Sequence, residues 1–155
     1  MADVRRPSRL FLLFATGFGS GMAPVAPGTA GTIVGICLYW LFSHLAPPLL
    51  LITCIAFIFL SVWIAERAAH IVQQRDPRCI VIDEISGYLV TMLLIPWNWA
   101  YAGIGFLLFR LLDITKPFPI RRIDQNVSGG WGIVLDDVLA GVYANIILRA
   151  WIHWK

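Results

Sequence analysis

The sequence predicts an all-α fold: a compact helical bundle integral to a membrane, with about four to five membrane-embedded helices and a Gly-rich N-terminal loop. Three observations carry this reading. Of the 155 residues, 59% are apolar and only 14% charged, against roughly 25% charged in ordinary soluble domains. Residues 10–65 include no Asp, Glu, Lys or Arg, and residues 85–109 again include none. The apolar runs also exceed strand length, and a helix satisfies its own backbone polar groups inside a bilayer. The length fits one domain over residues 1–155.

The elements follow in chain order. The start, MADVRRPSRLFLLFATGFGSG, is basic and then briefly apolar, as in a weak signal peptide or a cytoplasmic anchor. The glycines that follow favour the anchor. Pro24, Pro27 and Gly28 introduce a first membrane-helix candidate at 29–45, with Thr29 as its expected N-cap. Pro47 and Pro48 open the strongest span, 45–65, which supplies the about 20 apolar residues a crossing needs. Further candidates lie at 80–96, after Asp76 and Pro77, and at 100–115, between Asn98 and Pro117. The last, at 132–151, follows Ser128, Gly129 and Gly130. Asp83 precedes Gly87 by four residues, as Asp137 precedes Gly141. At that spacing a small residue shares a helix face with the acid and lets another backbone come close.

Lys and Arg in short loops mark the cytoplasmic side. Three groups fall on one face of this map: Arg5, Arg6 and Arg9; Arg67, Arg75 and Arg78; and Arg110, Lys116, Arg121 and Arg122. The turns at 46–48 and 97–101 are uncharged, and only Arg149 and Lys155 fall opposite. The expected arrangement is therefore a multi-pass membrane protein with its charged helix ends facing the cytoplasm. Five of the nine carboxylates, Asp83, Glu84, Asp113, Asp136 and Asp137, fall at the cytoplasmic helix ends. From Asp83 to Trp97 a helix would rise about 21 Å, less than a hydrocarbon core of about 30 Å. Either the acids lie below the headgroups or these helices do not fully span.

Several function classes are excluded. The net charge of +3 is not gathered into a run that would follow a nucleic-acid backbone. Cys37, Cys54 and Cys79 form neither a disulfide framework nor a metal-binding spacing. His44, His70 and His153 are scattered, and the Asn126–Ser128 sequon lies on the cytoplasmic side.

What remains is the acid cluster. Ionisable groups within membrane helices are costly, by roughly 2.5–3.5 kcal/mol each on insertion scales. Asp83, Glu84, Asp113, Asp136 and Asp137 provide the oxygen ligands that a hard cation such as Mg²⁺ takes. The bland alternative is salt bridging to Arg110, Lys116, Arg121 and Arg122. Arg110, Asp113 and Lys116 stand at successive i, i+3 steps before Pro117. That row suits a phosphate held beside a metal, and equally an interfacial ion-pair ladder. The stretch GFGSGMAPVAPGTAGT at 17–32 is a Gly-rich loop running into a helix. Its glycines serve either anion binding at the helix start or close packing. It is neither a P-loop nor a Rossmann fingerprint, since no Lys follows the glycine and no strand precedes it.

Four ordered motifs now matter: GFGSGMAPVAPGTAGT at 17–32, IVIDEISGYLVTM at 80–92, FRLLDITKPFPIRRID at 109–124 and GGWGIVLDDVLAGV at 129–142. With these the chain resembles, over nearly its whole length, the phosphatidylglycerophosphatase A family of bacterial membrane lipid phosphatases. The resemblance implies hydrolysis of the terminal phosphomonoester of phosphatidylglycerophosphate with Mg²⁺, giving phosphatidylglycerol and phosphate. Carried over by motif, Asp83, Asp113 and Asp137 would be catalytic, and with Glu84 and Asp136 they would form the metal centre. Arg110, Lys116, Arg121 and Arg122 would form the phosphate side, and the Ser20 and Thr29 loop would close the site. The nucleophile is either water held by the metal or one of Asp113, Asp83 and Asp137 through an aspartyl-phosphate. Two competing readings are a small ion transporter or channel subunit with acids lining its path, and a lipid transferase with paired aspartates. The sequence carries no sign of oligomeric state.

Overall fold

The computed structural model describes residues 6–74 and 77–154, and within them the chain is helical with no strand. The order is α1 (Arg6–Ala15), a short 3-10 turn (Ser20–Met22), α2 (Pro27–Phe42), α3 (Pro47–Val72), α4 (Ile82–Met92), α5 (Trp99–Thr115), α6 (Ile120–Asn126) and α7 (Gly129–Trp154). Prolines start two of the long elements, since the first turn has no use for the missing N–H. Pro27 opens α2, and Pro47 with Pro48 opens α3. The Asn98 side chain caps α5 by accepting from the N–H groups of Ala100 and Tyr101. Thr29 does not cap α2: the helix begins two residues earlier, behind Ala26 in a left-handed conformation.

Among the described residues, two helices are long and apolar enough to cross a membrane: α3 and α7, each of 26 residues, with mean hydropathies of 2.5 and 1.5 in their best windows. Each rises about 39 Å, more than a hydrocarbon core of about 30 Å. Their apolar side chains largely point outward, with Ile52, Phe59, Trp63 and Ile146 all at least half exposed. An outward apolar surface of this extent fits lipid contact better than water. Of the four to five membrane-embedded helices expected, two among the described residues are long enough to span. Helices α2 and α5 have 16 and 17 residues and α4 only 11.

Helix α4 is the centre of the bundle, packed by α2, α3, α5 and α7. The expected helix at 80–96 is helical only over Ile82–Met92, about 16 Å long, and it stops where α7 supplies donors to its end. The Asn145 amide donates to the carbonyls of Val90, Thr91 and Leu93 at 3.3, 2.8 and 3.1 Å, and Arg149 Nη2 donates to Leu93 O at 2.8 Å. Arg149 Nε in turn donates to Asn145 Oδ1 at 2.8 Å, and the Tyr39 hydroxyl donates to Ile95 O at 2.6 Å. These groups satisfy carbonyls that a helix end leaves orphaned. Arg149 is therefore a capping group rather than a loop charge.

At the other end α4 crosses α7 with no side chain between the backbones. A Cβ on Gly87 would lie 2.6 Å from the Asp137 carbonyl oxygen, and one on Gly141 would strike the Gly87 carbonyl. Each acid of the Asp83/Gly87 and Asp137/Gly141 pairs is one turn from its glycine, so the glycine crossing sets the two carboxylates against each other. The Gly-rich stretch packs in the same way. A Cβ on Gly21 would strike the Cys79 carbonyl, one on Gly31 would press on Val81, and one on Gly28 would strike the Glu84 carboxylate. Its glycines therefore provide close approach to the segment leading into α4.

Candidate active site

The helix ends that the sequence map placed on one face gather around a cavity of about 300 Å³. Its wall includes Pro27 and Gly28 from α2, Asp83 and Glu84 from α4, and Arg110, Asp113 and Lys116 from α5 and its end. Asp124 of α6 and Asp136 and Asp137 of α7 complete the charged set, with Arg78 from the loop before α4. Among the described residues, six carboxylates thus face three cations.

The acids form two groups. Asp83, Glu84 and Asp137 each offer a carboxylate oxygen within 4.8 Å of the others. They come from two helices, and the glycine crossing is what holds that distance. Asp113 is paired within its own helix, accepting from Arg110 Nη1 at 2.5 Å, while the same nitrogen lies 3.9 Å from Glu84 Oε1. The bridge links the α5 acid to the triad. Lys116 joins the remaining two, with Nζ 2.8 Å from Asp124 Oδ1 and 2.6 Å from Asp136 Oδ2. It reaches them because α5 ends at Thr115 and Lys116 itself turns left-handed, φ 42°, away from the helix axis. Burial alone would lower its pKa, but the hydrogen bonds to Asp124 and Asp136 outweigh this and raise it above the ordinary lysine range. Lys116 therefore stays charged throughout any working pH.

Hydrogen bonding leaves part of this wall unsatisfied. Glu84 Oε2, Asp136 Oδ1 and Arg110 Nε are buried without a hydrogen-bond partner among the described residues. Buried carboxylate oxygens of this kind are costly unless a cation takes them. The donor set, oxygen only, is that of a hard divalent ion. The residues fit Mg²⁺ on chemistry as well as on spacing.

The motif-derived residues separate cleanly on this map. Asp83, Glu84, Asp113, Asp136, Asp137, Arg110 and Lys116 line the cavity. Arg121 and Arg122 do not: both are exposed on α6, and the Arg122 guanidinium lies 5.0 Å from the centre of the Phe118 ring. Ser20 and Thr29 do not line it either. The Ser20 hydroxyl donates to Thr16 O at 3.3 Å within its own turn, and Pro27 and Gly28 hold the place expected for Thr29. The row Arg110, Asp113, Lys116 is half ladder and half reach, since Arg110 pairs with Asp113 while Lys116 leaves the helix face. Two wall residues were missed as site members. Asp124 closes the motif FRLLDITKPFPIRRID eight residues after Lys116, and that short return through α6 was the available signal. Arg78 reads in the sequence only as a loop charge.

Residues 13–152 match the family description Phosphatidylglycerophosphatase A. The chain belongs to this family. It is 39% identical over 144 residues to phosphatidylglycerophosphatase A of Escherichia coli strain K12, covering 92% of this chain and 84% of the relative. It is 40% identical over 149 residues to the Haemophilus influenzae protein of the same name, covering 92% of this chain and 88% of that one. A Bacteroides thetaiotaomicron protein provisionally named phosphatidylinositol-3-phosphatase is 41% identical over 156 residues, covering 94% and 95%. No solved structure matches the chain. This phosphatidylglycerophosphatase A family member therefore carries its charged cavity inside the matched region, and the chain is a phosphatase.

Proposed function

We propose that the protein is a Mg²⁺-dependent lipid phosphatase that hydrolyses the terminal phosphomonoester of phosphatidylglycerophosphate at the cytoplasmic face of a bacterial inner membrane. The convergence of Asp83, Glu84 and Asp137 within 4.8 Å, beside Arg110 and Lys116, carries this reading. Family membership supplies the substrate: two relatives bear the phosphatidylglycerophosphatase name.

Asp83, Glu84 and Asp137 would hold the metal, with the unpartnered oxygen of Asp136 on the same wall. Bound there, Mg²⁺ would supply positive charge to the phosphoryl oxygens, the main requirement of phosphomonoester hydrolysis. The protein's own groups do the rest. Arg110 and Lys116 stand on the phosphate side, aligned by Asp113 and by Asp124 with Asp136. A carboxylate of the wall takes a proton from the attacking water. The new bond forms between water oxygen and phosphorus, the bond from phosphorus to the glycerol oxygen breaks, and that oxygen leaves with a proton. The products are phosphatidylglycerol and phosphate.

The far half of the bundle holds no Asp or Glu among the described residues, so the transport reading is not favoured. The test is phosphate release from phosphatidylglycerophosphate by the purified, detergent-solubilised protein, with Mg²⁺ and with EDTA, beside Asp83→Ala. Release that needs Mg²⁺ and is lost in the variant is expected. No release under any metal would end the proposal.

A further inference from the structure

Two of the three cavity cations are already engaged by the protein: Arg110 by Asp113 and Glu84, Lys116 by Asp124 and Asp136. The third, Arg78, is an exposed wall residue with no ion pair among the described residues. Its place is set by backbone contacts that follow it closely. The Ile80 N–H donates to Pro77 O and the Val81 N–H to Ala15 O, both at 2.8 Å. Gly21 admits the Cys79 carbonyl where a Cβ would collide with it. The end of α1 and Gly21 of the Gly-rich motif thus serve to seat Arg78 and, five residues on, Asp83.

We infer that Arg78 is the arginine that receives phosphate at this site. It grips the non-bridging oxygens of the substrate's terminal phosphomonoester as it arrives and of inorganic phosphate as it leaves. This rests on the phosphatase reading and adds a residue to it. A guanidinium offers parallel N–H donors that match two phosphate oxygens and keeps its charge at every working pH. For Arg110 or Lys116 to turn fully to the substrate, a 2.5 or 2.6 Å pair would have to break and leave a carboxylate unpaired in a largely buried wall. Arg78 has no such pair to break among the described residues. Exposure also makes it the first cation that a dianion meets at a cavity where Arg110 and Lys116 are already paired with carboxylates.

The test compares wild type, Arg78→Gln and Arg78→Lys in uncharged detergent with Mg²⁺. Equilibrium binding of inorganic phosphate is measured first, then that of dihexanoyl phosphatidylglycerol, which carries the diester and lacks the monoester. Losing a charge-assisted grip should weaken phosphate binding in Arg78→Gln by about 10- to 100-fold, with Arg78→Lys between. Phosphatidylglycerol binding should stay within about threefold. In turnover, KM should rise in parallel with kcat little changed, a split that a loss of packing would not give. Unchanged phosphate binding in Arg78→Gln, or a loss confined to phosphatidylglycerol, would overturn the inference. A wild type that binds phosphate but releases none from the lipid would fail the phosphatase reading instead, and the binding comparison would still decide the role of Arg78.

Discussion

Replacing Gly87 by alanine tests whether the α4–α7 crossing, rather than the acids alone, makes the site. The added Cβ would lie 2.6 Å from the Asp137 carbonyl oxygen and 2.5 Å from Phe109 Cε2. The Phe109 ring can rotate aside, whereas the carbonyl belongs to the α7 backbone. Ordinary contact begins near 3.4 Å, so α4 and α7 must part by about 0.8 Å at the residue that carries a triad carboxylate. Overpacking of this kind costs about 1–3 kcal/mol, and a misplacement near 1 Å lowers turnover about 100-fold. The expected variant inserts and folds, melts at a lower temperature and releases phosphate from phosphatidylglycerophosphate about 100-fold more slowly at saturating Mg²⁺. Gly103→Ala is the control, since a Cβ there meets nothing within 4 Å and alanine favours the helix by about 1 kcal/mol. Phosphate release by Gly87→Ala within about threefold of this control would refute the account of the crossing.

Three further outcomes are expected. Asp137→Asn should severely lower Mg²⁺-dependent phosphate release and raise the Mg²⁺ concentration needed for half-maximal turnover, and near-normal turnover would remove the triad as metal centre. Lys116→Met should lower stability by about 3 kcal/mol, because Asp124 and the buried Asp136 lose their shared cation. Adding Asp136→Asn should restore much of that in thermal melts, and an unchanged melting temperature in the single variant would count against the bridge. Asn145→Leu should destabilise by about 1–3 kcal/mol through the orphaned carbonyls at the end of α4, read by thermal denaturation and by increased amide exchange at 93–95.

The helical class, the start of α3 and the gathering of acids at one end were all legible, because prolines, uncharged runs and charged helix ends are local signals. The reach of α4 was not. Its length depends on Asn145 and Arg149, one turn apart on a helix fifty residues later, and hydropathy along 80–96 carries no trace of them. Their polarity inside α7 was the available sign. The same holds for the site's periphery. Arg121 and Arg122 share a motif with Lys116, yet the turn at Pro117–Pro119 leaves them on the outer side of α6 while Asp124, three residues on from Arg121, faces inward. Thr29 looked like a cap because a proline and a glycine precede it, but α2 starts at that proline. The glycines at 17–31 allowed two uses, and only the positions of Cys79, Val81 and Glu84 separate them.

The short α4 has a consequence for the membrane itself. A wall of six carboxylates would be an obvious starting point for a proton leak if water could continue from it to the opposite side. Beneath the cavity lie the packed rings of Tyr88 and Phe109, and beyond them the Asn145 amide, Arg149 and the Tyr39 hydroxyl are turned onto carbonyls. A donor fixed on a carbonyl is a poor relay, and tight apolar packing interrupts any water wire. In the proposed membrane setting, the arrangement that stops the helix would therefore also act as an insulating plug between the acidic cavity and the opposite side.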